Sequence, residues 1–204
     1  MIPKTIVTCW INHDANSMTD LVKRCIESQK IDGYEHKVIT IDDCNIGSQY
    51  VDGCLSRHDV IGYVKASDYM RVWYVWKYGG IHLDGDMEVL ESKNFDHLLE
   101  YKMFVPMDPQ GHYGNAGFGS EAGDPLLKKY LERVEANFRG TGELAYEPGI
   151  RAFSDMFYIM DTSYIKMLSP DHFFPYNHLT KSEEITENTL VKHWYTNSWV
   201  KNTN

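Results

Sequence analysis

The stretch Asp68-Tyr69-Met70-Arg71-Val72-Trp73-Tyr74-Val75-Trp76-Lys77-Tyr78-Gly79-Gly80-Ile81-His82-Leu83-Asp84-Gly85-Asp86-Met87-Glu88-Val89-Leu90 decides how this chain is read. Tyr69, Trp73 and Trp76 recur at helical spacing with Val72 beside them, which predicts a helix with one apolar face. Gly79-Gly80 stops it, because glycine takes the left-handed conformation that closes a last helical turn. Ile81-His82-Leu83 then reads as a short strand that delivers Asp84 and Asp86 at its end. Two carboxylates with one glycine between them repel each other unless something positive sits among them. A hard divalent cation, which takes oxygen ligands and often brings a phosphate with it, answers that need. Asp68 and Arg71 lie three apart on one face of the same helix. At a surface they would form an ion pair worth roughly a few tenths of a kcal/mol. The aromatics at Tyr69, Trp73, Tyr74, Trp76 and Tyr78 predict burial over much of that helix, where a charged pair needs a partner or a job.

Outward from this stretch, the bulk properties narrow the function. The chain has 204 residues, 43% of them hydrophobic and 13% aromatic, enough for a sizeable core and for a single domain over 1–204, either complete or the N-terminal part of a longer protein. A formal charge of −9 argues against nucleic acid or an anionic membrane as the main partner. An anionic ligand must then be held locally, through a metal, backbone amides or a few basic side chains. Cys9, Cys25, Cys44 and Cys54 form no CxxC pair and read as reduced, buried thiols. Met1-Ile2-Pro3-Lys4 runs straight into a strand, and no apolar run is long enough to span a bilayer. With no Asn-x-Ser/Thr sequon either, the expectation is a soluble, cytoplasmic chain with no transmembrane segment.

Lys4–Ile11 reads as a first buried strand, a helix capped by Ser17 or Thr19 runs to about Gln29, and Lys37–Ile41 reads as a second strand. Strand, helix, strand predicts parallel pairing in an α/β sheet. Asn45–Gly62 is polar and has two readings, a helix-containing crossover or a flap. Further on, Phe95–Leu99 predicts a short helix, Met103–Pro106 a strand and Gly111–Gly123 a glycine-rich loop. Asp124-Pro125 opens a helix to about Phe138, since proline fits the first turn, where its missing donor costs nothing. Another helix is expected over Ile150–Met160, and the aromatic end around Lys192–Trp199 reads as irregular structure packed against something, such as a ligand.

The pattern Ala66-Ser67-Asp68-x-x-Arg71, followed by Gly79-Gly80-x-x-x-Asp84-x-Asp86, resembles the signature of DXD sugar transferases of glycosyltransferase family 32. Its relatives include yeast-type mannosyltransferases, capsule and oligosaccharide transferases, and the glucosylating domains of large clostridial toxins. The resemblance is densest over Ala66–Leu90, with weaker echoes at Trp10, Asn115, His193 and Ser198-Trp199. It implies a GT-A fold: a Rossmann-like α/β domain with a mostly parallel, mixed central sheet flanked by helices. It also implies Mn(II), with Mg(II) as the alternative, held against the diphosphate of a nucleotide-sugar donor. By position, Asp86 resembles the direct metal ligand, Asp84 a residue touching the ribose and the metal, and His193 a tail histidine that completes the metal shell. Asp68 and Arg71 resemble the pair that holds the donor sugar's hydroxyls, and Asn115 a residue close to the anomeric carbon. Trp10 resembles an aromatic stacked on the base, and Ser198-Trp199 a closing segment on the β-phosphate.

The resemblance therefore implies a hexosyltransferase that uses a UDP-sugar, or a GDP-sugar, on a carbohydrate or glycoprotein acceptor, with retention of configuration. The chemistry is consistent with this. Breaking a sugar–phosphate bond builds negative charge on the leaving diphosphate, which a carboxylate-held metal neutralises without proton transfer. Hydrogen bonds from an Asp–Arg pair align the departing, oxocarbenium-like sugar. Folding Trp194 and Trp199 over the site would keep water from the donor. Two other readings compete: a non-catalytic carbohydrate-binding module, and an Asp-x-Asp phosphohydrolase. In the second, the motif normally ends the first strand, whereas here it comes late and is followed by Glu88.

Overall fold

Strand β1 (Thr5–Cys9) and helix α1 (Asp20–Ser28) lead into β2 (Glu35–Ile39), which pairs in parallel with β1 from Thr5 opposite Glu35 to Cys9 opposite Ile39. The computed structural model describes residues 1–11, 18–138, 149–177 and 180–196. Asn45–Gly62, ambiguous from its sequence, holds helix α2 (Gln49–Leu55) and the first turn of α3 (Val60–Tyr78). Caps explain these starts: the side chains of Thr19, Ser48 and Asp59 accept from the backbone N–H groups of Val22, Val51 and Gly62. Gly79 ends α3 at φ +74°, where a side chain would also strike Pro3 at 2.8 Å. The buried side of α3 is formed by Tyr69, Met70, Val72 and Val75, while Trp73 and Trp76 are only half-buried.

After α3 come β3 (Gly80–Leu83), β4 (Met87–Val89), β5 (Met103–Pro106), β6 (Gly117–Ser120), α4 (Pro125–Ala136), α5 (Ile150–Ile159) and β7 (Ile165–Leu168). The short strands β8 (Tyr176–Asn177), β9 (Ser182–Glu183) and β10 (Val191–His193) follow. Six strands form the central sheet in the order β2-β1-β3-β6-β5-β7. Its β1–β2, β1–β3 and β5–β7 pairs are parallel, while β6 runs antiparallel to both β3 and β5. Alternation along the strands builds a core on each face. Val7, Cys9, Met103, Val105 and Phe118 pack with the helices α2 to α5. Ile6, Ile81, Leu83 and Phe104 pack with Phe95, Phe173 and Val191 on the other side. All four cysteines are free and buried, and no described helix is long and apolar enough to cross a membrane.

The sequence reading of Gly111–Gly123 as a loop misses β6, a strand inside the sheet. Its glycines serve packing: a Cβ at Gly119 would lie 2.3 Å from the Phe104 ring, and one at Gly117 would lie 2.8 Å from Phe173. Large rings from neighbouring elements occupy the space that side chains would fill. Gly119→Ala is expected to destabilise the protein by about 1–3 kcal/mol in urea unfolding, as overpacking does. Gly114→Ala, whose Cβ would meet Ile150 at an ordinary 3.5 Å, should cost less than about 0.5 kcal/mol.

Candidate active site

β3 ends on a tight turn that carries both acidic residues. Asp84 N–H donates to the Ala116 carbonyl at 2.8 Å, and Met87 N–H closes the turn on the Asp84 carbonyl at 3.0 Å. Buried Gln29, at the end of α1, donates its side-chain amide to the carbonyls of Asp84 (2.9 Å) and Met87 (2.8 Å). Thr8 donates in turn to the Gln29 side-chain carbonyl. The backbone of the acidic turn is thus fixed from both the neighbouring strand and the helix behind it.

The two carboxylates take different partners. Arg71, from the buried interior of α3, places Nη1 2.9 Å from Asp84 Oδ1 and 3.3 Å from Asp68 Oδ1. Asn115 donates to Asp68 Oδ1 at 3.1 Å. Burial pushes the Asp68 carboxyl above its usual range, against the opposing pull of Arg71. For Arg71 itself, burial disfavours the charge, but Asp84 and Asp68 outweigh that and raise its pKa. The guanidinium is therefore a fixed cation held between two acids.

Asp86 is met by the C-terminal segment. β10 pairs antiparallel with β4, with His193 opposite Met87, and this register puts His193 Nε2 3.1 Å from Asp86 Oδ1. Thr196 donates its N–H and its hydroxyl to Asp86 Oδ2, both at 2.9 Å, and Trp194 N–H donates to the Asp86 carbonyl at 3.0 Å. Burial acts to raise the Asp86 pKa, but the bonds from His193 and Thr196 prevail and bring it down to about 2. The Nδ1 of His193 is buried and has no hydrogen-bond partner among the described residues. The His193 ring stacks on Tyr195 at 4.0 Å between centroids.

These groups surround one cavity of about 410 Å³, whose wall includes Trp10, Asp68, Arg71, Asp84, Asp86, Asn115 and His193. All the site residues expected from the sequence meet there except Ser198 and Trp199, which lie outside the described residues. Asp84, Asp86 and His193 offer ligand atoms that all lie within 4.8 Å of one another. Two carboxylates, one ionised far below neutral pH, and an imidazole make a donor set that fits a divalent metal. Trp194 behaves otherwise than expected. Its indole N–H donates to Glu88 at 2.8 Å and its ring lies against Lys192 and Arg24, outside the cavity wall. Tyr63, Ser67, Tyr195 and the Gly149-Ile150 pair also line the cavity; none is singled out as a site residue by the sequence, although Ser67 stands in the quoted Ala66-Ser67-Asp68 pattern and Tyr195 in the aromatic end. The repulsion between Asp84 and Asp86 is met internally, by Arg71 for one and by His193 and Thr196 for the other.

A carboxyl group with a depressed folded-state pKa adds stability above its unfolded pKa, near 4, and loses it as pH falls through the folded value. With Asp86 at about 2, the metal-free protein should lose on the order of 2 kcal/mol between about pH 4 and pH 2 through this group. Thermal melts of wild type and Asp86→Asn are expected to differ at pH 6 and to converge as the pH falls through that window.

A sequence profile of the capsular polysaccharide synthesis protein family matches residues 1–120. No curated protein sequence is significantly similar to the chain. Among solved structures, the PaToxG glycosyltransferase superposes with a TM-score of 0.57 at 16% identity, covering 78% of this chain and 68% of that one. A glycosyltransferase involved in the glycosylation of the major capsid of PBCV-1 superposes with a TM-score of 0.56 at 11% identity, covering 94% of both chains. At these identities the likeness is one of fold. The fold is that of the GT-A glycosyltransferases, and the chain belongs to the capsular polysaccharide synthesis protein family.

Proposed function

We propose that the protein is a metal-dependent glycosyltransferase that moves a hexose from a nucleotide diphosphate sugar, with a UDP-sugar favoured, onto a saccharide or glycoprotein acceptor. The observation that carries this reading is the meeting of Asp84, Asp86 and His193 at the carboxyl end of β3, beside Asp68 and Arg71, in one cavity. Open α/β sheets bind ligands at the carboxyl ends of their strands. Charge points the same way. Among the described lining residues, Asp68, Asp84 and Asp86 outnumber the guanidinium of Arg71, so a bare diphosphate would be repelled.

Asp86 and His193 would hold the metal, with Asp84 at its side. The imidazole nitrogen favours Mn(II) over Mg(II), which prefers oxygen alone. A metal held by these residues would supply positive charge against the leaving diphosphate. The chain's own groups do the rest. Trp10, from the end of β1, gives an apolar face for the base. Asp68 and Arg71 orient the sugar's hydroxyls, and Asn115 steadies Asp68 near the anomeric carbon. The bond from that carbon to the phosphate oxygen breaks, the acceptor's hydroxyl oxygen bonds to the carbon on the same face, and the hydroxyl proton passes to the departing diphosphate oxygen, with retention.

Calorimetric titration with UDP tests this reading: tight binding is expected with Mn(II) and little without it, and metal-independent or absent binding would refute it. Asp86→Asn should lower donor hydrolysis by about a hundredfold in a folded protein. Trp10→Ala should raise the donor KM by roughly tenfold with a smaller change in kcat, as the loss of a base-stacking ring does.

A further inference from the structure

His82 sits inside β3, fully buried, with its ring 5.8 Å from that of Phe118. A polar ring at this depth is costly unless its nitrogens are partnered. Both nitrogens have partners. Nδ1 lies 3.0 Å from the carbonyl of Val7, its register partner on β1, and Nε2 lies 3.1 Å from Asp84 Oδ1. The Val7 carbonyl can only accept, which anchors the Nδ1 edge of the ring to the backbone of the sheet. The opposite edge is then aimed at one oxygen of Asp84, 3.1 Å away. The same Oδ1 also takes Arg71 Nη1 at 2.9 Å. One oxygen of Asp84 is therefore held twice by the protein, while Oδ2 has no hydrogen-bond partner among the described residues and Asp84 lines the cavity.

We infer that His82 is a positioning residue for Asp84: anchored on the Val7 carbonyl, it pins Oδ1 against Arg71 and so dedicates Oδ2 to the ligand. His82 touches no ligand itself. Its effect on binding rests on the metal and nucleotide-sugar reading above, whereas its effect on the place of the carboxylate does not. A ring that only filled space would be indifferent to which nitrogen it kept.

The test separates the two nitrogens. In His82→Gln the side-chain amide can reach the place of Nε2. In His82→Asn it reaches only the place of Nδ1, and His82→Leu keeps neither. Affinity for UDP with Mn(II) is expected to fall by about tenfold or more in His82→Asn and His82→Leu, the usual loss for a partner that orients a ligand group, and by clearly less in His82→Gln, which gives up only the Val7 anchor. In an Asp84→Asn background, His82→Asn should bring no further loss, because its effect passes through that carboxylate. Equal losses in the Gln and Asn variants, additive losses with Asp84→Asn, or wild-type affinity in a folded Asn or Leu variant would overturn the inference. Crystal structures of the metal-free variants give a readout independent of activity. The Asp84 carboxylate should leave Arg71 in His82→Asn and stay in His82→Gln; an unmoved carboxylate in His82→Asn overturns the proposal even if the metal reading stands. If wild type shows no Mn(II)-dependent binding, the metal reading fails, and the crystal structures still decide the role of His82.

Discussion

The site depends on one buried cation, the Arg71 guanidinium clamped between Asp68 and Asp84. A guanidinium taken out of water is tolerated only with its charge matched and its donors used. Here the matching acids come from α3 itself and from the end of β3, and further bonds run to the Ser67 carbonyl (3.2 Å) and, more loosely, to the Asn115 carbonyl (3.5 Å). Helix, strand end and the approach to β6 are thereby locked to one another. Removing either acid would leave a buried charge uncompensated, so the same interaction that positions Asp68 and Asp84 also ties them to the stability of the fold.

The second half of the site is built by strand pairing. β10 adds to β4, outside the main sheet, and so brings residues more than a hundred positions apart in sequence into contact. Asp86 is satisfied by His193 and Thr196 in the form described here. If Asp86 and His193 hold a metal as proposed, their mutual contact would give way to it, and residues 194–196, which bond to Asp86, would be affected by what occupies the site.

Much of this was legible in the sequence, and for identifiable reasons. The quoted helix, stop and strand announce themselves through helical spacing, a glycine pair and an apolar run, and Asp68, Arg71, Asp84 and Asp86 follow from that frame. Trp10, Asn115 and His193 were reached through the family resemblance, since nothing local marks them. What stayed hidden were features set by contacts between distant parts of the chain. β6 reads as a loop because its glycines answer to Phe104 and Phe173, which are remote in sequence. β10 is three residues long and shows no useful alternation, so its register, and with it the meeting of His193 and Asp86, cannot be read locally. Trp194 was expected over the cavity, but a pair of cations and Glu88 hold it elsewhere. His82 is, in sequence, only a polar residue within a strand, because its partners, the Val7 carbonyl and Asp84, are brought to it by strand pairing and the turn after β3.

The proposed function requires Asp86 and His193 jointly to hold a divalent metal beside the donor's diphosphate. Anomalous diffraction from crystals grown with Mn(II) and UDP tests it most directly. The expected result is a manganese peak within about 2.0–2.3 Å of an Asp86 oxygen and a His193 nitrogen, with the diphosphate against it. A nucleotide bound in the cavity without such a peak, or a peak from which His193 is turned away, would contradict it.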